Sequence, residues 1–291
     1  MIINFIRGLC MALADSVPGV SGGTIAFIMG FYDKFINSLD SLIYGSKKEK
    51  IESLKFLIKL GIGWIVGMVL AALVLANLFD KHIYIISSLF LGFVIFAIPL
   101  IIKEEKENLK GKYYNIIFTI IGIALVVLIT ILNPVSSNST IDITKLNFGL
   151  IIYLIIAGMV AISAMVLPGI SGSTLLLIFG LYISIMTGIK EVLHFNLEYL
   201  PSLFFFGLGV IIGILSVIKI LKNALKKFRS ATIYLVLGLM LGSVYAIIMG
   251  PTTLKVAKSA MSIKTFNILF FIIGGIIIIG LEKLKGILNK K

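Results

Sequence analysis

The residues equipped for chemistry sit in two short phrases of an otherwise greasy chain. Pro18-Gly19-Val20-Ser21-Gly22-Gly23-Thr24 and Pro168-Gly169-Ile170-Ser171-Gly172-Ser173-Thr174 repeat the pattern P-G-x-S-G-x-T at an offset of 150 residues. Proline removes a backbone donor and biases the preceding residue away from helix, and glycine permits the tight backbone that follows. Ser21 and Ser171 then stand where helix N-caps belong, with Gly22, Gly23 and Thr24, and Gly172, Ser173 and Thr174, as first turns. A first turn offers free N–H groups and the positive end of the helix dipole. Glycines admit an anion close to the backbone and the hydroxyls add donors, which is the general recipe for holding a phosphate. The lysine of a nucleotide-binding P-loop is absent from both copies. A packing reading stands beside this one: Pro, Gly and Ser also let two helix breaks approach closely.

Two charged residues flank the first phrase. Asp15 lies deep in an apolar stretch and aligns with Met165 in the second copy. An intramembrane carboxylate is a functional candidate by default, either taking up a proton during a cycle or bonding the motif backbone structurally. Arg7 lies about two helical turns earlier, where it either contacts a phosphate at the inner mouth or snorkels to the interface. Hydrolytic constellations are missing: there is no H-E-x-x-H and no paired histidine. His82 and His194 stand alone, so neither metal nor cofactor is expected, and the single cysteine, Cys10, excludes an intrachain disulfide.

Such phrases need elements to carry them, and the composition says which. The chain has 291 residues, 59% hydrophobic and only 13% charged, beyond the soluble norm of about half apolar and a quarter charged. Six apolar runs reach the roughly 20 residues needed to cross a bilayer: 60–79, 83–102, 113–132, 200–218, 231–249 and 265–284. The regions 3–43 and 148–188 carry the phrases and are expected as broken helical hairpins that enter partway and return; two tilted full spans in each would give the same topology. The N-terminal stretch superficially resembles a signal peptide, but Arg7 interrupts it and its motif recurs downstream, so no cleavage is expected.

Charge sets the orientation. Of 26 Lys and Arg residues, 20 fall in 44–59, 103–112, 219–229, 282–291, Arg7 and Lys34. By the positive-inside tendency that side is cytoplasmic, and so are both termini. The net charge of +13 is thereby assigned to orientation rather than to a nucleic-acid partner. Three spans follow the first hairpin, which leaves the polar linker 133–147 outside and obliges the second hairpin to open outward. The expected fold is an all-α polytopic integral membrane protein with an inverted-topology repeat. Residues 1–132 form one half and 148–291 the other, each a broken or re-entrant hairpin plus three transmembrane helices. Inverted repeats with broken helices near the midplane are a mark of secondary transporters.

The repeat extends past the phrases: Ala14, Ile28, Gly30 and Tyr32 recur as Ala164, Ile178, Gly180 and Tyr182. The segment Ala14–Phe35, "ADSVPGVSGGTIAFIMGFYDKF", with its second copy Leu167–Tyr182, "LPGISGSTLLLIFGLY", closely resembles the signature of the PopT family of bacterial and archaeal polyprenyl-phosphate transporters, first catalogued as a domain of unknown function. The resemblance covers essentially the whole chain. It implies a translocase in the cytoplasmic membrane that returns undecaprenyl phosphate to the inner face for cell-wall synthesis. Composition and spacing alone reach a transporter with an anion site, and a carrier or channel for a small water-soluble anion stays open as the alternative. Membrane lipids are the other expected partners. The GxxxG at Gly63–Gly67 serves packing within one copy or between copies of a homo-oligomer alike.

Overall fold

The computed structural model describes residues 2–15, 21–70, 76–131, 141–169, 172–193, 195–253 and 258–288. Among the described residues it holds thirteen α-helices and several 3-10 turns. The first half comprises α1 (Ile2–Asp15), α2 (Gly22–Ile28), α3 (Tyr32–Tyr44), α4 (Lys47–Leu70), α5 (Ala76–Glu104), α6 (Lys106–Leu109) and α7 (Ile116–Ile131). The second comprises α8 (Phe148–Val166), α9 (Gly172–Ile178), α10 (Tyr182–Leu193), α11 (Leu200–Lys227), α12 (Arg229–Met249) and α13 (Ile268–Leu288). Among the described residues six helical segments are long and apolar enough to cross a membrane: Lys47–Leu70, His82–Glu104, Tyr113–Ile131, Phe148–Val166, Leu197–Lys227 and Arg229–Thr252. The chain is therefore an all-helical, polytopic membrane protein. Its outward surface is apolar, as contact with lipid tails demands, with Ile58, Ile62, Ile65, Ile117, Ile120 and Leu128 exposed.

Several helices run past the apolar stretches that mark them. Most of 44–59, expected as a basic loop, belongs to the first turns of α4, and 219–227 continues α11. The reason is local. Ser46 and Glu49 form a capping box, with the Ser46 N–H donating to Glu49 Oε2 at 2.7 Å and the Glu49 N–H to Ser46 Oγ at 3.4 Å. Lys- and Glu-rich sequence is itself good helix former. Basic segments at the ends of α11 and α12 still meet α3 and α5 at one end of the bundle, where Arg229 pairs with Glu105 and Asp33, and Lys219 lies over the Tyr44 ring.

Glycine sets the helix pairing. On the α1–α4 seam, a Cβ at Gly63 would strike the Phe5 carbonyl, and one at Gly67 would come within 2.7 Å of the Leu9 carbonyl. On the α8–α11 seam the same holds for Gly209 against Ile155 and Gly213 against Met159. Gly92 of α5 packs on Phe271 of α13, while Gly238 of α12 packs on Thr119 of α7. Close approach of this kind is how membrane helices gain packing without a hydrophobic drive. The α1–α4 and α8–α11 seams thus share the same glycine-on-backbone contact, and the α5–α13 and α7–α12 pairs join N-terminal helices to C-terminal ones.

Candidate functional site

Both phrases break a helix. After α1 ends at Asp15 the chain resumes helix at Gly22, and after α8 ends at Val166 it resumes at Gly172. Ser21 is the N-cap of α2, its backbone extended at φ −129° and ψ 152° and its Oγ accepting from the Thr24 N–H at 3.3 Å. All of Gly22–Ile28 is buried, so a helix of only seven residues lies inside the protein. Both short helices stop alike. Gly30 and Gly180 take the left-handed conformation at φ 65°. The next residue's N–H then reaches back five positions, Phe31 to Ala26 at 3.0 Å and Leu181 to Leu176 at 2.9 Å. That is a Schellman closure, and it gives the repeated glycine its reason.

The two breaks touch. Ser21 Oγ donates to the Leu167 carbonyl at 3.0 Å, and Tyr32 Oη donates to the Val166 carbonyl at 3.1 Å. In return the Gly169 N–H donates to Thr24 Oγ1 at 2.8 Å and to Ser21 Oγ at 3.3 Å. Hydroxyls from the first half therefore satisfy the carbonyls that α8 leaves open at its C-terminus. Gly23 has no room for a side chain, since a Cβ there would lie 2.7 Å from the Val166 carbonyl. Gly169 has none either: its φ is +90°, and a Cβ would stand 2.6 Å from the Leu239 backbone of α12.

Asp15 closes the other side of the first break. Its Oδ1 accepts from the Gly22 N–H at 2.6 Å and its Oδ2 from Trp64 Nε1–H of α4 at 2.9 Å. A carboxylate thus sits at the start of α2, where the sequence suggests a place for an anion. Met165 occupies the matching place in the second half, its Cγ and Sδ lying against Gly172. Geometry is preserved while the charge is not. Trp64 escapes sequence reasoning because nothing in its own surroundings marks it; only the fold brings α4 to Asp15, 49 residues away.

Ser21, Gly23 and Thr24 thus meet the Val166–Gly169 stretch that contains Pro168 at one junction, with Gly22 bonded to Asp15 beside it. Gly172 opens α9 as expected, and nothing is described of the Ser173 and Thr174 side chains within that helix. Pro18, Gly19 and Ser171 lie outside the described residues. Arg7 is not at the junction. It is half-buried, its guanidinium 4.7 Å from the Phe31 ring centroid and its Nη1 donating to Asn4 Oδ1 at 3.2 Å. In this conformation the first phrase turns its hydroxyls and the Gly22 amide onto protein acceptors. Among the described residues, no group of three or more His, Cys, Asp or Glu is placed to hold a metal ion.

Residues 11–265 match the profile of the VCA0040-like family, described as undecaprenyl phosphate translocase-like. The chain is 36% identical to the polyprenyl-phosphate transporter of Staphylococcus aureus over 276 residues, covering 93% of this chain and 94% of that one. It is 33% identical to the polyprenyl-phosphate transporter of Vibrio cholerae over 250 residues, covering 82% and 75% respectively. No solved structure matches it.

Proposed function

The chain belongs to the undecaprenyl phosphate translocase-like family, and on that premise we propose that it is a secondary transporter carrying polyprenyl phosphate, of the undecaprenyl type, across a bacterial or archaeal cytoplasmic membrane for carrier-lipid reuse. The observation that carries this reading is the junction where Ser21 and Thr24 bond to Leu167 and Gly169. Two broken helices meet there, one from each half, and the contacts around them recur in pairs.

In this reading the halves are inverted relative to each other. The three crossing helices α4, α5 and α7 lie between the two broken regions, so the second region starts from the face opposite to the first. Both termini then lie with the basic end, in the cytoplasm. The phosphate is held where the phrases meet, by Ser21, Gly22, Gly23 and Thr24 on one side and Ser171, Gly172, Ser173 and Thr174 on the other. Arriving there, it displaces the Asp15 carboxylate from the Gly22 amide and parts the Ser21–Leu167 and Thr24–Gly169 contacts. Alternating access in this reading consists of opening the junction to one face and then the other. Asp15 couples the cycle to a proton: protonation turns one of its acceptor oxygens into a donor facing a donor, which loosens its hold on Gly22 or Trp64. Arg7, on the Phe31 ring, contacts the headgroup at the inner mouth. No bond is made or broken in the lipid.

Leaflet exchange in liposomes tests this. Purified protein with a fluorescent polyprenyl phosphate in both leaflets is expected to deliver the inner-leaflet label to an impermeant quencher added outside, at a rate the empty vesicles lack. No acceleration under any proton or sodium gradient overturns the proposal. Flux of inorganic phosphate instead assigns the site to a small anion, and phosphate released from the lipid assigns an enzyme.

A further inference from the structure

At the basic end of the bundle, α3 passes the junction of α11 and α12 and exchanges charges with both. Asp33 and Asp40 are seven residues apart on α3, two turns of one helical face or about 10 Å, while Lys222 lies on α11 and Arg229 begins α12 beyond the non-helical Phe228. Lys222 Nζ pairs with Asp40 Oδ2, and Arg229 Nη1 pairs with Asp33 Oδ2 at 3.0 Å. Between these two bridges the helices do not close. A cleft of about 200 Å³ remains, into which Asn37 and Lys226 face alongside Asp33, Lys222 and Arg229. At about 30 Å³ per water that is room for some six waters, or for a phosphate group with part of its hydration shell.

The bridges differ in how firmly they hold. Glu105 is buried and grips the guanidinium through Nε at 3.0 Å and Nη2 at 2.5 Å. It fixes the orientation of Arg229 and leaves the Nη1 edge turned to the cleft. Asp33, on that edge, has a side chain 47% exposed, so its bond is the exchangeable one. Lys226 enters no ion pair among the described residues. Three cations thus line a cleft whose nearest exchangeable anion is one solvated carboxylate, and a planar guanidinium fits phosphate oxygens as well as it fits a carboxylate.

We propose that this cleft is a second phosphate site, the portal through which the headgroup of a lipid phosphate monoester passes on the basic face. The headgroup replaces Asp33 on Arg229, recruits Lys226 and Asn37, and draws Lys222 from Asp40, so that the seam between α3 and α11 parts. Without a headgroup, Asp40 holds α3 to α11 and Asp33 holds it to α12. The proposal rests on the transport reading above and identifies where its substrate crosses to one face.

The test uses the full chain in a Cys10→Ser background with Asn37→Cys as reporter, labelled by an impermeant maleimide. The probes are farnesyl phosphate, farnesol and inorganic phosphate. Farnesyl phosphate at ten times its half-saturating concentration is expected to slow labelling about tenfold, with farnesol without effect and inorganic phosphate far weaker. No protection by farnesyl phosphate, or equal protection by farnesol, overturns the site; equal protection by inorganic phosphate at the same concentration overturns its assignment to a lipid. Lys226→Gln is expected to weaken the protection. A second pair, Asp40→Cys with Lys222→Cys, locks the seam on oxidation and is expected to stop leaflet exchange until reduced. Full exchange through the oxidised protein overturns the portal. Protection is read by binding alone, so its failure beside intact exchange by the unaltered protein removes the portal and leaves the transport reading in place.

Discussion

Asp15 faces two donors at once, the Gly22 amide and the Trp64 indole. An asparagine there keeps one acceptor and turns its NH2 toward the other donor. Asp15→Asn is therefore expected to destabilise the protein by about 1–3 kcal/mol, the cost of a buried donor left unmet, as read by thermal melting in detergent. If the residue also carries the coupling proton, the same variant flattens the pH profile of leaflet exchange. A lowered melting temperature with an unchanged profile would leave Asp15 a purely structural carboxylate. The sequence marks Asp15 by its rarity in apolar surroundings. It does not mark Trp64, or the Tyr32 hydroxyl that reaches Val166 across 134 positions, because those partners are set by which helices pack and not by local pattern.

At the scale of the helix, the repeated phrase is legible and the repeat around it is only partly so. Residues 14–32 and 164–182 align at one offset of 150, but Gly63 and Gly67 correspond to Gly209 and Gly213 at 146, so a single offset loses the match beyond α3. Only the contacts, glycine on backbone in both seams, reveal it. Helix ends lie beyond the apolar runs for a similar reason: hydropathy marks where a helix is greasy, whereas α4 begins at Lys47 because Ser46 and Glu49 cap it there. The seam yields a paired prediction. Gly63→Ala drives a methyl into the Phe5 carbonyl and is expected to cost about 1–3 kcal/mol by overpacking. Gly61→Ala, two residues away with nothing within 4 Å of its Cβ, is expected to be neutral or slightly stabilising. Equal melting temperatures for the two variants would show that close approach on this seam is not what holds α1 to α4.

Over the whole molecule, composition sufficed for a polytopic membrane protein, and the two phrases sufficed to single out the junction between its halves. The exchange of partners between halves, α5 on α13 and α7 on α12, was beyond the sequence because each pair joins segments more than 100 residues apart with no shared pattern. In the proposed transport cycle that exchange would couple the halves, since moving one would move the walls around the breaks. The account stands on the two breaks forming one phosphate site, and a double-mutant cycle on leaflet exchange tests that most directly. Ser21→Ala and Ser171→Ala are each expected to slow exchange of polyprenyl phosphate about tenfold, the worth of a hydrogen bond to a charged group. Acting as one unit, the two together are expected to do little more than either alone. Single variants that exchange at the unaltered rate, or losses that multiply to about a hundredfold as independent sites would give, would contradict it.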